Sequence, residues 1–157
     1  MSRAVQLWLA GVIVVAVGCA GMGTTGPKIT QSAGDPNSVC GNKWELKRLR
    51  VNGEAIAIED NERFTFLCNR DGNVVGKSGI NTYRGALQVT DTGLLLWDSA
   101  SFASTKKAGP EPLMRQENAY LRALAGTRQA FTKSGGERLI LRDPPGDIYI
   151  EYIKVGP

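Results

Sequence analysis

A chain of 157 residues is long enough for one domain and too short for two of ordinary size. Its 19 Lys and Arg against 15 Asp and Glu give a mild net charge of +4, with the basic residues scattered rather than interleaved with aromatics, so no nucleic-acid partner is expected. It contains no histidine, which removes Ser-His-Asp and Cys-His nucleophile pairs and imidazole metal ligands, while mechanisms that use carboxylates alone remain open.

The first segment does not belong to the domain. Met1-Ser2-Arg3 is a short positive start, Ala4 to Val17 is almost wholly apolar, and Ala16-Val17-Gly18-Cys19 closes it with small residues before a cysteine. Residues 1–18 read as an export signal, too short and too rich in Gly and Ala for a membrane-spanning helix of about 20 residues. Its end resembles a bacterial lipobox, with Ala16 where that pattern prefers Leu. The resemblance implies that Cys19 becomes the acylated first residue and that the membrane is a partner through this anchor. Cleavage after Ala20 and an uncleaved anchor are the other readings. Removal of the leader takes away Arg3 and leaves a charge of +3. Residues 19–39 then form a tether dominated by Gly, Thr, Ser and Pro, spanning roughly 25 Å as a flexible coil, with the domain from 40 to 157. In a cell with two membranes, Ala20 after the cysteine resembles sorting signals for the outer membrane, facing the periplasm.

Within the domain, Trp44 to Leu49 begins with the alternation of a half-buried strand. Val51-Asn52-Gly53-Glu54 is a turn, and Ala55 to Asn61 reads as irregular linker. Arg63 to Cys68 is a second strand and Asn69 to Asn73 a tight turn. Asn73–Lys77, Thr82–Gln88 and Leu94–Trp97, running on through Phe102, follow as strands. After Pro110, Leu113, Glu117, Tyr120, Leu121 and Leu124 fall at helical spacing over 111–125, with Gly126 placed to stop the helix. Arg128–Lys133, Glu137–Arg142 and Ile148–Val155 make a three-stranded meander. Five strands, one helix and three strands predict an α+β fold, a strongly curved antiparallel β-sheet or open barrel of about eight strands packed on one helix.

The stretch GNVVGKSGINTYRG, residues 72–85, contains Gly76-Lys77-Ser78, the tail of a phosphate-binding loop. That loop needs a Gly separated from the Gly-Lys pair by four residues, where Asp71 stands, and should open a helix, whereas Ser78 to Tyr83 has no helical period. The stretch therefore reads as hairpin, with Gly76, Gly79 and Gly85 at bends, Asn81 bonding local backbone, Tyr83 an aromatic anchor and Lys77-Ser78 incidental.

Cys40 and Cys68 are the remaining cysteines. If the first two strands pair with residue numbers summing to about 108, Cys40 faces Cys68 and Trp44 faces Phe64, with Leu46 and Phe66 on the same side. A disulfide and two buried thiols are both compatible with that arrangement.

The residues from about 42 to 155 resemble the META domain, the module of bacterial heat-inducible lipoproteins. The features that carry the likeness are Trp44-x-Leu46, Phe64 and Phe66, the core pattern Gly76, Gly79, Asn81, Tyr83, Gly85, the segment Ser104-Thr105-Lys106-x-Ala108, and Glu117, Tyr120, Leu124 on the helix. The family pattern often has cysteines where this chain has Ile80 and Gly109, so a cross-link between Cys40 and Cys68 would be a differently placed staple. The resemblance implies a cell-envelope setting with stress or antibiotic-tolerance phenotypes, and supplies no reaction.

The expected function is accordingly a non-enzymatic, lipid-anchored envelope protein that works by surface binding, taking an envelope protein or a hydrophobic or polymer ligand, with no cofactor and no metal. The alternatives are an inhibitor of a protease or lysozyme-type hydrolase, using Ser99 to Pro112 as a plug, and a carboxylate hydrolase using Asp98 and Glu117.

Overall fold

A computed structural model describes residues 32, 33 and 36–156. The export signal, Cys19 and most of the tether lie outside the described residues. The strands are β1 (Ser32–Ala33), β2 (Lys43–Val51), β3 (Glu54–Ile56), β4 (Thr65–Cys68), β5 (Asn73–Lys77), β6 (Thr82–Val89), β7 (Leu95–Ser104), β8 (Gln129–Lys133), β9 (Arg138–Arg142) and β10 (Ile148–Lys154). A single turn of helix, α1 (Pro36–Val39), precedes β2, and the main helix, α2 (Glu111–Gly126), joins β7 to β8.

All ten strands belong to one antiparallel sheet in the order β1-β8-β9-β10-β2-β4-β5-β6-β7, with β3 paired on β2. The two- and three-residue strands β1 and β3 are appendages, so eight strands form the wall, as the sequence predicts. The wall curls until its ends meet at one corner. Leu94 bridges Gln129, the Leu95 N–H donates to the Arg128 carbonyl at 2.9 Å, and the Ala130 N–H to the Gly93 carbonyl at 2.7 Å. From the far end of β7, α2 carries the chain back to that corner and covers the core. Its period decides the contact face: Gln116, Glu117, Tyr120, Ala123 and Leu124 are buried, and Arg115, Asn118 and Arg122 are exposed.

The core is built from alternating strand positions. Trp44, Leu46, Phe64, Phe66, Val74, Tyr83, Leu139, Leu141, Ile150 and Tyr152 are all inside, against Tyr120 and Leu124 of the helix. Edge-on aromatic contacts link Phe64 to Tyr120 and Phe66 to Trp97.

Four expectations need correction. The folded part begins before residue 40: β1 pairs with Thr132 and Phe131, and Val39 is buried, its carbonyl accepting the Trp44 indole N–H at 2.9 Å. Glu54, read as part of a turn, and residues 55–56, read as linker, form β3, because a turn at Asn52-Gly53 with both residues at positive φ folds them back on β2. The β2–β4 register sums to 110, pairing Trp44 with Phe66 and Lys43 with Leu67. A shift of two keeps every side chain on its predicted face. Ser78 is no incidental residue: it is fully buried and braces a turn described below.

Cys40 and Cys68 are bridged, closing a sequence separation of 28. Cys40 stands outside β2, in the turn after α1, where the Gly41 N–H donates to the Cys68 carbonyl at 2.6 Å. Reduction is expected to lower unfolding free energy by about 3–4 kcal/mol through the entropy of the opened loop. Urea unfolding with and without reductant reads this, and thiol titration of the unfolded, unreduced chain should find neither cysteine reactive.

Candidate functional site

The motif residues converge on two adjoining clusters. The first is the tight connection from β5 to β6. The Ser78 N–H and hydroxyl both donate to the Asn81 carbonyl, at 2.8 and 3.2 Å, which closes the turn. Gly79 sits there at φ +104°, a conformation that L side chains rarely adopt, and its N–H reaches the Arg63 carbonyl at 2.8 Å. This leaves the N–H groups of Ile80 and Asn81 pointing away from the sheet. Both donate to Glu117 Oε2 of α2 at 3.2 Å, while Asn81 Nδ2 donates to Oε1 at 2.8 Å. Asn81 Oδ1 in turn accepts from the Thr105 hydroxyl at 2.6 Å and the Lys107 N–H at 2.8 Å. One asparagine thus ties the hairpin, the helix and the β7–α2 connection together. The partner positions of the family cross-link lie side by side, since a Cβ on Gly109 would fall 2.0 Å from Ile80 Cδ1.

The second cluster begins one residue pair away, at Gly76. A Cβ there would stand 2.1 Å from the Thr65 carbonyl oxygen and 2.6 Å from Tyr83 Cε1, because the Tyr83 ring lies across its cross-strand partner. The Thr65 carbonyl has left the β4–β5 ladder and turned inward, where it accepts from the Tyr83 hydroxyl at 2.9 Å and the Tyr120 hydroxyl at 3.3 Å. The Thr65 hydroxyl replaces it in the ladder, accepting the Lys77 N–H at 3.0 Å. The Tyr120 hydroxyl also lies 3.1 Å from that of Tyr83 and 3.0 Å from that of Tyr152. Burial pushes the Tyr120 phenol up to about 12, partly offset by its two hydroxyl neighbours. It also pushes Tyr83 and Tyr152 well above the ordinary tyrosine range, with repulsion from an ionised Tyr120 adding to the effect.

The remaining motif residues lie apart. Trp44 packs beside the disulfide end of β2, and Gly85 sits where β7 bulges, with Phe102 within 3.2 Å of its missing Cβ. At that bulge Ser101 Oγ accepts the Ala86 N–H at 2.7 Å. Asp98 is exposed there and accepts the Ala100 N–H at 3.0 Å. The Glu117 carboxylate has donors on both oxygens. Asp98 and Glu117 therefore serve separate backbone turns rather than one reaction centre. Among the described residues no group of His, Cys, Asp and Glu is arranged to hold a metal. Sequence reasoning missed Tyr152 and Ser78 as members of these clusters. A core-facing tyrosine in an alternating strand needs a partner for its hydroxyl, which is the signal that Tyr152 offered.

The loop read as a plug is shorter than expected: Ser99–Ser104 belongs to β7 and Glu111–Pro112 to α2, leaving Thr105–Pro110 exposed. Along β4–β7 lies a groove of about 680 Å³ with Lys43, Lys77 and Arg84 in its lining and Gly76 and Tyr83 at its base.

The family pattern described as META domain matches residues 37–151. Among solved structures, an NMR structure of a protein from Burkholderia xenovorans matches with a TM-score of 0.64 at 18% identity, covering 85% of this chain and 97% of that one. A crystal structure of a DUF4847 family protein from Bacteroides vulgatus matches with a TM-score of 0.53 at 12% identity, covering 73% and 93%. At these identities the likeness is one of fold. A search of curated proteins finds no match.

Glu117→Ala would leave the Ile80 and Asn81 N–H groups unpaired in the interior, at an expected cost of about 3 kcal/mol, and Asn81→Ala a similar amount. Since the two share a bond, the double variant should cost less than the two singles together by about 1 kcal/mol or more in a urea-unfolding cycle. Alkali should unfold the domain. The three buried phenols ionise more readily unfolded, so the stability they contribute is complete below pH 10 and is lost as pH rises from about 10 towards 12. Absorbance of tyrosinate should accordingly rise together with the loss of near-ultraviolet circular dichroism, rather than ahead of it.

Proposed function

This chain belongs to the META domain family, and from that premise we propose that it is a non-enzymatic, lipid-anchored protein of the cell envelope that acts by binding through its surface. One observation carries the reading. The polar groups of the family motif are consumed by each other and by backbone: Glu117, Asn81, Thr105, Tyr83 and Tyr120 hydrogen-bond within the domain. A motif of that kind supports a shape, and leaves the outer faces to make contacts. In this reading Cys19 is acylated, residues 20–31 hold the domain off the membrane, and the role lies in stress or antibiotic tolerance.

A second reading, inhibition of a hydrolase, is favoured by the exposed Thr105–Pro110 segment. Asn81 holds it by both the N–H and the carbonyl of Lys107, at 2.8 and 3.2 Å. A preorganised exposed loop binds with less entropic cost than a mobile one.

The test is made in cells. Metabolic labelling with an alkynyl fatty acid is expected to mark the protein and to fail on Cys19→Ser. Photo-crosslinking amino acids placed at exposed positions 43, 75, 84, 106 and 122 are expected to capture a specific envelope partner from at least one face. Absence of label and of any specific adduct would overturn the proposal, and hydrolase inhibition lost on Lys106→Ala/Lys107→Ala would replace it with the second reading.

A further inference from the structure

The curl of the sheet leaves two ladder rows side by side on its outer face. The first runs across five strands as Lys43, Leu67, Val75, Arg84 and Ala103, each paired in register with the next. The second contains Thr65, Lys77, Thr82 and Thr105. Both rows line the groove. The floor is apolar and open, with Val75 48% exposed. Among the described residues Lys43, Lys77 and Arg84 have no carboxylate partner, whereas buried Glu151 of β10, outside the groove's lining, holds both Arg48 and Arg138. The one acid that continues either row, Glu45 opposite Thr65, lies outside the groove's lining.

The spacing of these cations decides the ligand class. Lys43 and Arg84 stand three strand steps apart, about 14 Å in a flat sheet, and Lys77 is displaced from that line by one row. They do not converge on a single anion. A ligand that meets all three carries several separated negative groups, with apolar groups between them for Leu67, Val75 and Ala103. Polyphosphates and acidic glycans offer the charges without the apolar parts. A flat bilayer surface does not enter a groove. An extended polypeptide has both, because every second side chain points to the same side, about 6.6 Å apart, so that carboxylates about 13 Å apart can be separated by an apolar group along the side that meets the groove.

We infer that the outer groove of β4–β7 binds an extended acidic segment of a partner polypeptide, in which carboxylates and small apolar residues take turns at every second position and so share one side of the segment. The inference deepens the surface-binding reading and rests on it for the existence of a partner. Carboxylates engage Lys43, Lys77 and Arg84, the apolar residues cover Val75 and Leu67, and the Thr82 hydroxyl is placed to bond the segment's backbone.

The probe is a fluorescein-labelled, N- and C-blocked (Glu-Ser-Val-Ser)3 peptide, titrated by anisotropy into the full chain in zwitterionic detergent. Saturable binding is expected that weakens as salt is raised. Lys77→Glu/Arg84→Glu should weaken it at least tenfold and confer binding of (Lys-Ser-Val-Ser)3, which also shows that the variant is folded. Arg122→Glu, on the exposed face of α2, should leave both affinities unchanged. No saturable binding, equal affinity after charge reversal, or preferential binding of tetrapolyphosphate or phosphatidylglycerol vesicles at these residues would overturn the inference. If the peptide binds while cellular photo-crosslinks capture nothing, the groove stands and the surface reading falls; if crosslinks form elsewhere and the peptide does not bind, the reverse holds.

Discussion

One misdirected carbonyl organises this domain. In a regular ladder the Thr65 carbonyl would face β5; here it points into the core and accepts two tyrosine hydroxyls. The departure is possible because the Thr65 hydroxyl takes over the Lys77 N–H, and because Gly76 has no Cβ to occupy the space. A buried carbonyl without partners would cost about 1–3 kcal/mol, so Tyr83 and Tyr120 hold the bend by satisfying it. The bend curls the sheet, and the curl has an inside and an outside. Inside is room for α2 and three phenols. Outside is the face whose groove carries the two cationic and hydroxyl rows.

The Asn81 cluster fixes the same arrangement from the helix side. A carboxylate that accepts backbone and side-chain N–H groups from a neighbouring turn makes stronger bonds than a neutral acceptor would. Glu117 therefore positions α2 along its axis, and so decides where Tyr120 reaches the Thr65 carbonyl. Both clusters are closed networks in which each hydroxyl or amide has a named partner. Among the described residues Gln116 Oε1, outside both clusters, is a buried side-chain oxygen with no protein partner.

Much of this was legible in the sequence, for identifiable reasons. Period-two runs such as Trp44–Leu46 and Ile148–Tyr152, and the helical spacing from Leu113 to Leu124, reflect the burial of one face, which the structure repeats. Cys68 could be placed on the core side because parity survives a register shift of two, whereas Cys40 reaches it from the turn after α1. β3 was hidden because three residues give no period to read, and its strand character comes from the turn before it. Val39 and α1 were hidden by a Gly- and Pro-rich context that reads as coil. The clusters could be named residue by residue and not assembled, since Asn81 meets Glu117 and Tyr83 meets Tyr120 only when a hairpin and a distant helix are brought together.

The seating of β2 has a consequence for how the molecule can be made. This early strand lies between β4 and β10, so one of its long edges is completed only by the last strand of the chain. While the polypeptide emerges from its amino end, β2 exposes an unpaired row of backbone groups until residues 148–154 appear. Cooperative closure is therefore deferred until β10 has been made. Truncating the final strand would leave two interior edges open at once, on β2 and on β9.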